Sequence, residues 1–134
     1  MNWFINLLRH IFLPLTAGLL IYILFRENTW LHSHFIAGFT RFPVIRPDNT
    51  LLQLVAFNVP DFCWAYALAS SLFFWQQWTG VNRRVITILT LLLLAGSECL
   101  QMAGYGFTFD WLDLVATILA FGLSYTVIYK YETF

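Results

Sequence analysis

The sequence predicts an all-α, integral membrane four-helix bundle with up-down-up-down topology, and three properties of the chain lead to this fold class. Of its 134 residues, 60% are hydrophobic and 10% are charged, whereas an average soluble domain has about 25% charged residues. Apolar runs that approach the roughly 20 residues needed to cross a bilayer recur along the chain. These runs do not alternate between apolar and polar residues, which excludes the strands of a transmembrane barrel.

A single transmembrane domain over residues 1–134 is predicted, because the chain has neither an internal repeat nor a low-complexity tract. Its four helices are expected at about residues 4–25, 59–78, 85–103 and 110–129. The first has to begin near Phe4 to reach the length of a span, and Pro14 is expected to kink it. Small residues four positions apart favour close helix packing. They are Ala65, Ala69, Ala116 and Ala120.

The second helix has a recognisable start signal. Asn58 is a suitable N-cap, Pro60 falls in the first turn and Asp61 falls at the third helical position, where the helix dipole favours an acid. The preceding stretch, Leu51–Phe57, is too short to cross a membrane and is expected to form an interfacial turn. The two cysteines, Cys63 and Cys99, fall in predicted spans and form no disulfide framework.

The distribution of Lys and Arg favours an orientation with both termini in the cytoplasm. The face with the N-terminus, the second loop and the C-terminus has Arg9, Arg83, Arg84 and Lys130, and the other has Arg26, Arg41 and Arg46. The bias comes mainly from the tight Arg83–Arg84 turn, because short loops weigh most in the positive-inside rule. A net charge of zero gives no nucleic-acid footprint.

Six of the seven acids are expected at the extracytoplasmic face in this topology. They are Glu27, Asp48, Asp61, Glu98, Asp110 and Asp113. Glu98 needs the most explanation, because it lies toward a helix C-terminus, where the dipole disfavours an anion. Asp110 could instead be a simple N-cap with Asp113 in the first turn, and Glu98 could be a structural contact between helices.

The candidate catalytic residues are therefore Glu98, Asp110 and Asp113. The candidate substrate-binding residues are Gln101, Asp61, Arg46 and Arg41, because Gln101 shares a helix face with Glu98 and a guanidinium can bind phosphate bidentately. His32 and His34 are only a weak metal signal. The metal stays unknown, with no cofactor assigned and a shared divalent cation left open.

The third and fourth helices form a hairpin with a distinctive residue pattern. An acid precedes a glutamine by three residues in Glu98-Cys-Leu-Gln101, and Gly106-Phe-Thr-Phe-Asp110-Trp-Leu-Asp113 follows. This pattern resembles the C-terminal signature of VanZ-like bacterial membrane proteins. The chain departs from that signature at two positions, because Phe107 stands where the family has an arginine and Thr117 stands where it has an asparagine. The Val59–Trp64 segment also resembles a variant of that family. The resemblance implies a bacterial cytoplasmic (inner) membrane location and a link to the cell envelope and to glycopeptide resistance.

Three functional hypotheses follow. In the first, the protein binds or modifies a lipid or a lipid-linked headgroup, with Glu98 as buried base or cation ligand and Asp61 and Arg46 at the headgroup. In the second, it is a non-enzymatic accessory protein that binds a larger membrane partner, and the acids only cap and connect helices. A proton or ion carrier is the third and least favoured, because the chain lacks the repeat symmetry of typical transporters.

Overall fold

The computed structural model describes residues 3–25, 45, 48–102 and 111–131, without the side chains of residues 100–102. Every regular element in these ranges is helical. The helices are α1 (Trp3–Phe25), α2 (Thr50–Thr79), α3 (Arg83–Met102) and α4 (Trp111–Lys130). Three of them, α1, α2 and α4, are long and apolar enough to cross a membrane, and α3 has 20 residues. The predicted all-α class is confirmed.

Helix α1 changes its hydrogen-bond register in its first half. Residues Leu8–Phe12 are π-helical, and the Leu13 N–H donates to the carbonyl of Leu8. The segment ends just before Pro14, which has no N–H to donate and cannot sustain a regular helical ladder. A π-helical segment thus precedes Pro14 within a helix that continues to Phe25, and the kink at Pro14 stays a prediction.

Helix α2 begins at Thr50, well before the predicted start at Val59. Its N-cap is Asn49, whose side chain accepts a hydrogen bond from the Leu51 N–H at 3.0 Å. The expectation that Asn58 caps the helix is wrong, because the Asn58 amide donates to the carbonyl of Leu54 within α2. Pro60 is buried inside the helix. A proline is tolerated there when neighbouring groups satisfy the backbone atoms that it frees.

The α2–α3 connection is a tight turn that requires a glycine. Gly80 has a φ of 68°, in the left-handed region, and its N–H closes α2 by donating to the carbonyl of Gln76. Asn82 then starts α3, because its side chain accepts a hydrogen bond from the Arg84 N–H at 2.9 Å. The predicted short turn before the third helix is thus present.

Helix α2 lies at the centre of the fold and packs against both α1 and α4. The buried core includes Ala65, Ala69 and Phe73 of α2 with Ala120 and Ile128 of α4. The predicted small residues Ala65, Ala69 and Ala120 are therefore at helix contacts, and Ala116 is half-buried.

Two close contacts join α1 to α2. A Cβ atom at Gly18 would lie only 2.9 Å from the Trp64 ring, so glycine allows the two helices to approach there. His10 and Tyr66 are both buried, and the His10 Nδ1 lies 2.7 Å from the Tyr66 hydroxyl. This polar pair within the α1–α2 contact was not predicted from the sequence.

The outside of the helices is more apolar than their contacts with one another. On α3, Ile86, Thr90, Leu94 and Glu98 form a buried stripe with one residue every four positions. Large apolar residues such as Leu92 lie on the exposed face. The buried stripe of α4 similarly includes two hydroxyl side chains, Thr117 and Ser124. Small and polar residues at helix contacts are typical of helices that associate in lipid.

Candidate functional site

Glu98 is the last residue of the buried stripe on α3, so that helix geometry directs it toward the neighbouring helices. Only 8% of its surface is exposed. It lies one turn before the C-terminal residue of α3, Met102, where the helix dipole disfavours a negative charge. This burial agrees with the expectation that a carboxylate at this position faces the bundle, a partner or a water-filled cavity, and not the lipid.

Two side chains of α4 lie near the Glu98 carboxylate. The Thr117 hydroxyl donates to Glu98 Oε1 at 3.5 Å, longer than the roughly 2.7–2.8 Å of an optimal O–H···O bond. Asp113 is close enough for a like-charge interaction with Glu98. Asp113 and Thr117 are four residues apart and share a face of α4. Glu98 and Asp113 are called the acid pair below.

The position of Asp113 also fits the structural alternative considered from the sequence. It is the acid in the first turn of α4, where the helix dipole favours a negative charge. The same half-buried side chain thus lies at a helix start and is near enough to Glu98 for the two charges to interact. Its two roles are compatible, because the dipole acts along the helix axis and the carboxylate can point across to α3.

Of the remaining predicted site residues, only Asp61 is described with its side chain. Asp61 is half-buried well inside α2, so that the predicted role at the start of a helix is wrong. Asp110, Arg41 and Arg46 lie outside the described residues, as does the side chain of Gln101. The structure therefore brings together Glu98, Asp113 and Thr117 from the predicted hairpin.

The acid pair can accept hydrogen bonds and bind positive charge. An ionised carboxylate has about four acceptor positions, so an ammonium group, several hydroxyl groups or a cation could be held there. No group of three metal-ligating side chains occurs within residues 3–25, 48–102 and 111–131. Within these ranges the acid pair would supply two carboxylates to a cation.

A second polar cluster lies at the other end of α3 and α4 and was missed by the sequence analysis. The Arg83 guanidinium donates to the Tyr125 hydroxyl at 2.7 Å and lies 3.8 Å from the centre of the Tyr129 ring. The Tyr129 hydroxyl donates in turn to Gln76 of α2 at 2.9 Å. The signal in the sequence was a pair of tyrosines four residues apart, opposite the Arg83–Arg84 turn in the predicted topology.

Comparison of the chain with protein-family models, with curated proteins and with solved structures finds no match in any of the three. The similarity of the hairpin to VanZ-like proteins therefore stays a prediction from its residue pattern.

Proposed function

We propose that this chain is a multi-pass protein of the bacterial cytoplasmic membrane that binds the polar headgroup of a lipid or a lipid-linked molecule at the acid pair. The single observation that carries the proposal is the placement of Glu98. A carboxylate is costly in an apolar region, and such groups usually mark binding or transport sites. Glu98 is buried, lies at the unfavourable end of a helix dipole and is near a second carboxylate.

Helix contacts support the up-down-up-down topology within this proposal. His10 contacts Phe74 of α2, whereas Gly18, further along α1, lies against Trp64, so α1 and α2 run in opposite directions. Arg83 meets Tyr129 and Glu98 meets Thr117, which gives α3 and α4 opposite directions as well. The acid pair and the two arginines at the start of α3 then lie at opposite membrane faces, and the positive-inside rule favours cytoplasmic termini.

The chemistry of the ligand follows from the acid pair. Two carboxylates and a threonine hydroxyl are suited to an ammonium group or to sugar hydroxyls, both of which occur in lipid headgroups. The resemblance to VanZ-like proteins favours a lipid-linked molecule of the cell envelope. Gln101, Asp110, Asp61, Arg41 and Arg46 are proposed to complete the site.

The test is to identify lipids that remain bound to the purified full-length protein. The protein is extracted from bacterial membranes in mild detergent, and the retained lipids are identified by native mass spectrometry. We expect a bound species at about one per protein, and its loss in Glu98→Gln, which preserves side-chain size but removes the charge. Hydrogen bonds to charged groups contribute about 1.5–3 kcal/mol, so the affinity for the lipid should fall roughly tenfold or more.

The matched control is Ser124→Ala, which removes another buried polar contact of α4. Ser124 bonds to Ser70 of α2 at 2.9 Å, away from the acid pair. This variant should retain the same lipid as the unchanged protein. Equal retention in Glu98→Gln and in the unchanged protein would contradict a headgroup site at the acid pair.

The Thr117–Glu98 hydrogen bond favours a second candidate function, that of a non-enzymatic accessory protein. Because this bond connects α3 to α4, Glu98 could serve only to hold the two helices together, and the exposed apolar surface would bind a larger membrane protein. Cross-linking in membranes would then capture a stoichiometric protein partner. Glu98→Gln would then still capture this partner protein. The variant would also retain the same lipids as the unchanged protein.

A further inference from the structure

A cleft at the far end of the α3–α4 pair from Glu98 has the features of a separate anion site. Its volume is about 420 Å³, within the range of about 300–1,000 Å³ that is usual for small-molecule sites. It is lined by Arg83, Arg84, Thr87, Ile88 and Tyr125 and is called the basic cleft below. Two guanidinium groups at one cleft strongly favour an anionic occupant.

The two arginines have different surroundings. Arg83 is held by the Tyr125 hydroxyl and by the faces of the Tyr125 and Tyr129 rings, at 4.8 and 3.8 Å from their centres. Only one of the five N–H donors of its guanidinium is used in the Tyr125 bond. The side chain of Arg84 has no hydrogen bond or ion pair within the described part of the chain. Neither arginine is paired with a carboxylate there.

Contacts with the two tyrosines hold the Arg83 guanidinium in one orientation. Tyr129 is itself fixed by its bond to Gln76, whose amide donates to the Val81 carbonyl in the α2–α3 turn. This chain of contacts holds one guanidinium at a defined place before any ligand binds, which lowers the entropy cost of binding. The Tyr125 hydroxyl accepts from Arg83 and can still donate its own proton to an anion.

The apolar surroundings of the basic cleft identify the kind of anion. Ile88 lines the cleft and is 57% exposed, and Leu92, one turn further along α3, is 63% exposed. An anion held at the arginines would therefore have a continuous apolar surface beside it along α3. A phospholipid fits both parts, with its phosphate at the guanidinium groups and its acyl chains along Ile88 and Leu92.

We propose that the basic cleft binds the phosphate of an anionic phospholipid of the adjacent leaflet, at a site separate from the acid pair. Arginine suits this role because its planar fork bonds two phosphate oxygens at once. Lys130, the last residue of α4, adds a third positive charge near this end of the helix pair. Glu132, the next acid in the sequence, lies outside the described residues.

The test compares two phospholipids with the same acyl chains on the purified full-length protein in detergent. Native mass spectrometry measures the binding of phosphatidylglycerol and of phosphatidylcholine at equal concentrations. All variants are made in a Glu98→Gln background, because the ammonium group of phosphatidylcholine would otherwise be a ligand for the acid pair. We expect the anionic lipid to bind more tightly, and Arg84→Gln to weaken its binding about tenfold, the loss expected for charge-assisted hydrogen bonds. Arg84→Lys should bind at an intermediate level, because it keeps the charge and loses the fork.

Two controls keep the result specific. Arg9→Gln removes the same charge from an exposed position on α1 and should leave binding unchanged. The Glu98→Gln background disables the site proposed above, so that the lipid binding measured in it belongs to the basic cleft. Equal binding of the two lipids, or equal loss in Arg9→Gln and Arg84→Gln, would overturn the proposal. Full competition by inorganic phosphate at the concentration of the lipid would also overturn it, because the apolar surface would then contribute nothing.

Discussion

The two ends of the α3–α4 pair hold charge in different ways. At one end the Glu98 carboxylate is enclosed between helices, with a long hydrogen bond from Thr117 and a second acid nearby. At the other end Arg83 lies on the surface, against the faces of two tyrosine rings, and Arg84 is exposed beside it. The same two helices thus carry a buried anionic site and an open cationic one.

This difference follows from what each kind of side chain can reach. Arginine has a long apolar stem and a weakly hydrated head that stacks on aromatic rings, so that it can be held in place without burial. Glutamate is shorter and acts only as an acceptor when ionised, and it needs donors delivered by another helix. We therefore expect the basic end to depend on aromatic packing and the acid end to contribute little to stability.

The largest effect is expected from Phe73→Ala, which removes a ring that packs against the tyrosines of the basic end, the end of the α3–α4 pair that holds Arg83. Phe73 is fully buried on α2 and contacts the rings of Phe121, Tyr125 and Tyr129. Loss of these contacts and the cavity left behind should lower the free energy of unfolding by about 2–4 kcal/mol. Reversible unfolding in mixed dodecyl maltoside and SDS micelles, followed by tryptophan fluorescence, measures this change.

The control for this variant is Leu92→Ala on the exposed face of α3. It removes a similarly apolar side chain that has little protein to pack against, and surface substitutions usually change stability by at most about 0.5 kcal/mol. If Phe73→Ala were no more destabilising than Leu92→Ala, aromatic packing could not be what holds the basic end.

An intermediate effect is expected for the contact between Arg83 and the Tyr129 ring. A double-mutant cycle with Arg83→Gln and Tyr129→Leu should give a coupling energy of about 0.5–2 kcal/mol, the range for a cation–π contact. The loss of the Tyr129 bond to Gln76 cancels in the cycle, because it occurs in both backgrounds. The same unfolding assay measures all four proteins.

Arg84 provides the matched cycle. Its side chain makes no hydrogen bond or cation–π contact with Tyr129 within the described residues, so that Arg84→Gln combined with Tyr129→Leu should give a coupling energy near zero. Equal coupling for the two arginines would mean that general charge, rather than the stacked geometry of Arg83, stabilises this end.

The burial of Glu98 was predictable from the sequence, and the basic end was not. An acid near the C-terminal end of an apolar helix is unfavourable both in lipid and in the field of the helix dipole, so that Glu98 was expected to be enclosed, and it is buried. The Arg83 cluster depends on Tyr129 and Gln76, which come from two other helices. No local pattern fixes which side chains meet across three helices.

The start of α2 was predicted incorrectly because a residue pattern typical of a helix start lies inside the helix. Asn58 and Pro60 form a good start signal for a soluble helix, yet Asn49 supplies the cap and the helix passes through both residues. Inside a membrane a helix can continue through proline, because leaving unpaired backbone groups in lipid costs more than distorting the helix. The π-helical segment before Pro14 follows the same reasoning.

The smallest effect is expected at the acid end, from Thr117→Val. The substitution keeps the shape of the side chain and removes the donor to Glu98, and hydrogen bonds between membrane helices contribute about 0.6 kcal/mol on average. The 3.5 Å length of this bond indicates a value no larger than that average. Thr126→Val is the control, because among the described residues its hydroxyl bonds only to the Gly122 carbonyl of its own helix. A loss well above 1 kcal/mol relative to Thr126→Val would make Glu98 a structural connection between helices and favour the accessory-protein function. A small loss of stability in Thr117→Val would instead mean that Glu98 contributes little to holding α3 against α4. If Glu98→Gln also loses the retained lipid, the buried charge is kept for binding.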